Sequence, residues 1–261
     1  MKIKLILPLL ACLGVSQSVF AAAASITFSQ YRIILDKDTQ GTELSLRNDN
    51  EQNAECLLDL NYYNFSVQNE VTETQGASDT YMPANKLLRY SPRSVTIPGK
   101  GLQTVKISYR HRANLATGEY LNFFRISCSE KDLNPVLGQP SLGAKINYNI
   151  PVHVRIGDAV ASSAFEVSAI KPVGAGYELT LKQTREGTRS VIGDVKILDK
   201  GNDDELGYIS NFSLYRPAEF AIHKIMLAKK PTNGVVVEFE ESKSVYMPVK
   251  LRLEIPASEF L

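Results

Sequence analysis

Residues 142 to 156 alternate apolar and polar side chains without a break. Leu142, Ala144, Ile146, Tyr148, Ile150, Val152, Val154 and Ile156 are interleaved with Gly143, Lys145, Asn147, Asn149, Pro151, His153 and Arg155. A two-residue period predicts one β-strand with every apolar side chain on one face. Strands usually run about 5 to 6 residues, so a strand of about 15 offers more apolar face than its own domain covers. Gly157, Asp158 and a run of small residues over 159–164 follow it and read as a hinge. An over-long strand beside a hinge is a candidate for donation to a partner.

The first 24 residues read as an export leader. Lys2 and Lys4 form a charged start, an apolar run covers 5–13, and small residues at 21–24 offer cleavage points. The run is too short to span a bilayer, which takes about 20 apolar residues, so removal rather than membrane anchoring is expected. The alternative, a lipoprotein box ending at Cys12, has only a short apolar stretch ahead of it. Loss of the leader removes Cys12 and leaves Cys56 and Cys128 in an oxidising compartment. One disulfide is the expectation and two buried thiols the alternative. The disulfide would close a loop of about 70 residues, for which chain entropy allows roughly 4 kcal/mol.

The remaining chain of roughly 237 residues is long for one sandwich and fits two medium domains. Short runs of Tyr, Phe, Val, Ile and Thr are separated by turn residues, and long 3.6-residue periodicity is absent, so the fold class is all-β. The expected division is a first domain over 25–156 that includes the long strand, a hinge over 157–164 and a second domain over 165–261. Formal charge passes from +1 to about −1 without Lys2 and Lys4, and no basic patch argues for a nucleic-acid partner. His111, His153 and His223 are isolated, with no metal-ligand spacing. No nucleophile elbow, phosphate loop or dinucleotide fingerprint is present, so neither a catalytic residue nor a cofactor is expected.

A resemblance emerges from the order of short motifs. Tyr31-Arg32-Ile33-Ile34-Leu35-Asp36 is followed by Leu46-Arg47-Asn48, Tyr90-Ser91-Pro92-Arg93, Ile97-Pro98-Gly99, Gln103-Thr104-Val105 and Gly118-Glu119-Tyr120. Later come Gly187-Thr188-Arg189-Ser190, Gly193-Asp194 and Leu214-Tyr215. Together they resemble periplasmic chaperones of the chaperone-usher pilus pathway, in its archaic branch. The resemblance implies two Ig-like β-sandwich domains in a boomerang arrangement, a periplasmic location, and as partners pilus or fimbrial subunits and an outer-membrane usher. It also implies donation of the long strand to an incomplete subunit sandwich, a form of β-augmentation. On that basis Leu142, Ala144, Ile146 and Tyr148 enter the subunit, and Ile150 to Ile156 complete the chain's own core.

Within that resemblance Arg32 anchors the subunit's C-terminal carboxylate, chemistry to which a planar guanidinium is suited. Arg32 shares parity with Ile26, Phe28 and Ile34 and is expected on one face with them. The best-known branch places a lysine four residues before the arginine that ends the long strand, but Pro151 stands four before Arg155 here. Lys145, Arg89 and Arg93 are the substitute second anchors. Two rival classes are an exported Ig-like fimbrial subunit or adhesin, and an extracellular binding module. The former would carry a donor extension at its mature start, whereas here the first mature residues run almost directly into a strand.

Overall fold

The computed structural model describes residues 24–76, 82–130, 144–242 and 245–260. In chain order the first strands are β1 (Ile26–Phe28), β2 (Ile33–Leu35), β3 (Gly41–Asn48), β4 (Ala54–Phe65) and β5 (Val71–Thr74). They are followed by β6 (Leu88–Ser91), β7 (Ser94–Ile97), β8 (Leu102–Tyr109), β9 (Gly118–Glu130) and β10 (Ile146–Ile156). One sheet has the order β1-β3-β8-β6; the facing sheet runs β2-β10-β9-β4-β5, with β7 also paired to β4. Period-two patterning builds the interior between them. Leu44 and Leu46 of β3, Val105 and Ile107 of β8, and Phe124 and Ile126 of β9 are buried in one cluster with Ile150, Val152, Val154 and Ile156 of β10.

The stretch from Ile26 to Ile34, expected to present one face, is two strands in different sheets. β1 pairs antiparallel with β3, then the chain crosses at residues 29–32 and β2 runs parallel to β10. The crossing shifts the parity: Ile26 and Phe28 are buried on one side of it, Ile33 and Leu35 on the other. The expected face shared by Arg32 with Ile26 and Phe28 is therefore broken, and Arg32 and Ile34 instead line a common cavity.

The second sandwich is built from β11 (Ala161–Val173), β12 (Gly176–Gly187), β13 (Val191–Asp199), β14 (Glu205–Leu214), β15 (Phe220–Leu227), β16 (Val235–Glu241) and β17 (Lys250–Ile255). Its sheets have the orders β11-β12-β15 and β14-β13-β16-β17 around a core that includes Leu179, Leu181, Val195, Ile197, Val237 and Phe239. Residues 161–164, read from sequence as part of the hinge, already pair with residues 184–187 of β12, so only 157–160 lie between β10 and β11. Gly157 sits at φ 64°, a left-handed backbone that favours glycine, and turns the chain between the sandwiches.

The sandwiches touch through polar and aromatic contacts. Glu119 N–H donates to Thr188 O at 2.9 Å, Asn69 Nδ2 donates to Ser213 O at 2.8 Å, and Glu219 N–H donates to Val67 O at 3.0 Å. Tyr215 packs with ring centroids 5.1 Å from Phe65 and 5.9 Å from Phe123, and stacks on His153 at 6.1 Å. This contact covers the outer face of β10 near the junction. β10 is accordingly buried on both faces from Ile150 onward, while Ile146 to Asn149 alternate between half-buried and exposed.

Candidate functional site

Arg32 leaves the crossing between β1 and β2 and reaches the second sandwich. Its Nη1 donates to Asn211 Oδ1, and its Nη2 donates to Asn211 O at 3.1 Å and to Ser213 Oγ. All three acceptors are neutral, and among the described residues the buried Nε has no hydrogen-bond partner. Burial pulls the guanidinium pKa below its ordinary value, a tendency opposed by Tyr215 and Glu119 and reinforced by Arg155. Asn211 holds its carbonyl in place from a φ of 54°, a conformation that asparagine tolerates better than most residues. Arg32 and Ile34 form one wall of a cavity of about 900 Å³, whose other wall is the outer face of β13, β16 and β17.

Behind Arg32 lies a buried polar knot. Glu119 of β9 and Arg155 of β10 are direct cross-strand partners, with Arg155 Nε 3.1 Å from Glu119 Oε2. Glu119 Oε1 lies 3.1 Å from His153 Nδ1 and accepts from the Ser190 N–H at 3.2 Å and from its hydroxyl. Burial by itself would raise the Glu119 pKa. The neighbouring His153, the Arg155 charge and the Ser190 hydrogen bond outweigh it and hold the carboxyl below the usual carboxylate range, while burial pulls the His153 pKa below its ordinary value. Glu119 is thus already neutralised, and the partners it uses are not those of Arg32.

The second feature is an open strand edge. β2 covers β10 only at Val152, His153 and Val154, and among the described residues no strand pairs with residues 146–151 on that side. Pro151, which lacks an N–H, closes this stretch, in keeping with the restriction of proline to strand edges. Ala144, Ile146 and Tyr148 are half-buried and Lys145, Asn147 and Asn149 exposed, so the predicted alternation persists beyond the chain's own core. Tyr148 also contacts that core. Its ring packs 4.9 Å from Phe28, and its hydroxyl donates to Ala24 O at 3.2 Å and accepts from Ile26 N–H at 3.3 Å. Leu142, the first member of the expected donor set, lies outside the described residues.

Cys56 and Cys128 form a disulfide across β4 and β9, with Cα atoms 4.1 Å apart. Cys128 also stands opposite Ile146, so the cross-link lies one strand behind the open edge.

The substitute anchors do not converge on Arg32. Lys145 precedes β10 at its far end, seven residues before Val152, a separation of about 23 Å along a strand. Arg89 is exposed on β6 of the opposite sheet and donates to Leu88 O at 2.8 Å, while Arg93 stacks over Tyr90 at 4.8 Å. The residues that do gather at Arg32 are Asn211, Ser213 and, behind them, Glu119 and Arg155. Sequence reading missed Asn211 and Ser213 because no local pattern ties them to a residue about 180 positions away.

No family model matches the chain, and no curated protein matches it. Among solved structures it is similar to the YadV chaperone (13% identity, 88% of this chain and 99% of that one, TM-score 0.49). It is likewise similar to the Pseudomonas aeruginosa CupB2 chaperone (8% identity, 88% and 100%, TM-score 0.47). A third similar structure is that of the chaperone–tip adhesion subunit complex CsuC–CsuE from the archaic Csu pili of Acinetobacter baumannii (11% identity, 88% and 98%, TM-score 0.46).

Proposed function

We propose that this chain is a periplasmic chaperone for pilus or fimbrial subunits. It stabilises them by donor-strand complementation and delivers them to an outer-membrane usher. The observation that carries this reading is the edge of β10 over residues 146–151, unpaired among the described residues, which ends where Arg32 faces a cavity with no carboxylate partner among those residues. An unpaired edge offers a ladder of main-chain donors and acceptors, and an incoming strand would use it while the half-buried Ile146 and Tyr148 meet its core. Burial of a large apolar side chain contributes about 1.5–3 kcal/mol and each main-chain hydrogen bond about 0.5–1.5 kcal/mol. A few such terms, less ordering costs, give a complex that forms readily and still exchanges. Arg32, at the closed end of the edge, supplies a charge-assisted contact for the terminal carboxylate of that strand.

Co-expression in a bacterial periplasm with the small exported proteins encoded beside this chain tests the reading. The expected result is a stoichiometric complex, on pull-down, with a subunit that fails to accumulate when expressed alone. Subunits that accumulate equally well without the chain and never co-purify with it would refute the proposal.

A further inference from the structure

We propose that Asn69, at the tip of the β4–β5 hairpin, is a positioning residue for Arg32: its side-chain amide fixes the end of β14 to which the guanidinium is bound. The bearing of this on a subunit rests on the strand-donation reading above, whereas the placement of Arg32 by Asn69 is testable on the free chain. The hairpin tip is built to present this side chain. Ser66 Oγ accepts from the N–H groups of Gln68 and Glu70 at 3.2 and 3.1 Å, and Asn69 N–H donates to Ser66 O at 3.1 Å. Asn69 itself sits at φ 65°, a left-handed backbone that asparagine and glycine tolerate. From there its Nδ2 donates to Ser213 O at 2.8 Å, and its Oδ1 accepts from Tyr215 N–H at 2.8 Å. A carbonyl only accepts and an N–H only donates, so the amide has one workable orientation. The two backbone groups flanking Leu214 are also those that a parallel neighbour would bond. The side chain thus stands in for a strand beside β14, which forms the edge of its sheet among the described residues.

That support falls where β14 needs it. The ladder pairs Gly193 with Phe212 and Val195 with Ile209, a register shift that sets Ser210 and Asn211 against Asp194 alone and interrupts the support from β13. The Arg32 guanidinium binds on either side of Phe212, to Asn211 O at 3.1 Å and to Ser213 Oγ. Asn211 is tied to its own sandwich by its N–H, which donates to Asp194 Oδ1 at 2.7 Å. Ser213 receives two groups of the first sandwich at once, Arg32 on its hydroxyl and Asn69 on its carbonyl. Val67 O extends the hold by accepting from the Glu219 and Phe220 N–H groups at 3.0 and 3.1 Å, so the hairpin tip spans the turn between β14 and β15. Without the amide the end of β14 is free to shift, and the acceptors that aim the guanidinium shift with it.

The test compares the full chain with Asn69→Asp and Asn69→Gly. Both variants keep the left-handed turn; the first sets an oxygen against Ser213 O and the second removes both bonds. In protein with isotope-labelled arginine, the buried Arg32 Nε–H should give the parent a slowly exchanging magnetic-resonance signal, assigned by its loss in Arg32→Lys. In both Asn69 variants that signal should shift and exchange about tenfold faster, while Gln68→Ala, at an exposed neighbour, should match the parent. The half-life of the complex with a co-expressed subunit should fall by about the same factor. An Arg32 signal unchanged in both variants, even with a lowered melting temperature, overturns the positioning role. A shifted signal with complexes as long-lived as the parent's overturns its bearing on the subunit. If the parent captures no subunit, strand donation fails, and the Arg32 signal, which needs no ligand, still decides the role of Asn69.

Discussion

Arg32 is a cation among neutral oxygens, and that imbalance makes it the most informative single residue. Its bonds to Asn211 and Ser213 position the guanidinium without neutralising it, so on the proposed reading an incoming carboxylate would meet a charge already partly desolvated and aimed. Arg32→Ala should leave the free chain folded and abolish subunit complexes that survive gel filtration, the loss of a charge-assisted bond being worth about 1.5–3 kcal/mol. A variant that holds its subunit as long as the parent does would dismiss the anchor. His223 shows the opposite use of a titratable group. It is buried in the second sandwich, its Nε2 lies 2.8 Å from Gln183 Oε1, and burial pushes its pKa down to about 4. Unfolded histidine takes up a proton near pH 6.5, so the stability contributed by the neutral folded form is present above that value and lost as pH falls toward 4. Urea denaturation at pH 7.5 and pH 5 should differ by about 2 kcal/mol on this account, and His223→Gln should reduce the difference.

At the scale of an element, β10 has two halves of different burial. Residues 150–156 are enclosed on both faces, by the first sandwich within and by Tyr215 without, whereas residues 146–149 have an open edge and half-covered apolar side chains. Ile146→Asn should weaken subunit binding strongly, because a buried amide would lack partners, and barely move the melting temperature of the free chain. Val152→Asn, at a position with no exposure in the core, should do the reverse. Equal destabilisation of the free protein by both changes would mean that the whole strand is internal. Tyr148 stands between these behaviours, since its hydroxyl ties the half-open part of β10 to Ala24 and Ile26.

For the whole molecule, the junction combines a buried charge network with the aromatic packing of Tyr215 on Phe65 and Phe123. Glu119 joins β9 and β10 to Ser190 of the second sandwich, and Arg216 Nη1 donates back to Glu119 O at 3.0 Å. The Glu119 pKa is depressed, so its contribution is present above the ordinary carboxylate range near 4.5 and lost as pH falls below it. Glu119→Gln leaves Arg155 buried without its counter-charge, a change that typically costs about 3–5 kcal/mol. Calorimetry should show the parent unfolding in a single transition near neutral pH, with Glu119→Gln separating it into two. A single unshifted transition in the variant would show that the sandwiches are coupled by other contacts.

Alternation and turn residues made the all-β class, the long strand and most individual strands legible in the chain, because a pleated strand buried on one face needs a period of two wherever it sits. The expected export and the cysteine count made the Cys56–Cys128 pair legible for a similar reason: if the leader is lost in an oxidising compartment, two remaining thiols leave few choices. What only the tertiary structure decided are relations between distant residues. The sheet crossing at 29–32 breaks the parity that joined Arg32 to Phe28, the residues that hold the guanidinium come from β14, and Lys145 and Arg89 are carried away from it by register and sheet. Strand periodicity reports which face a side chain takes within its own sheet. Which sheet lies opposite, and at what register, depends on contacts that no local pattern records.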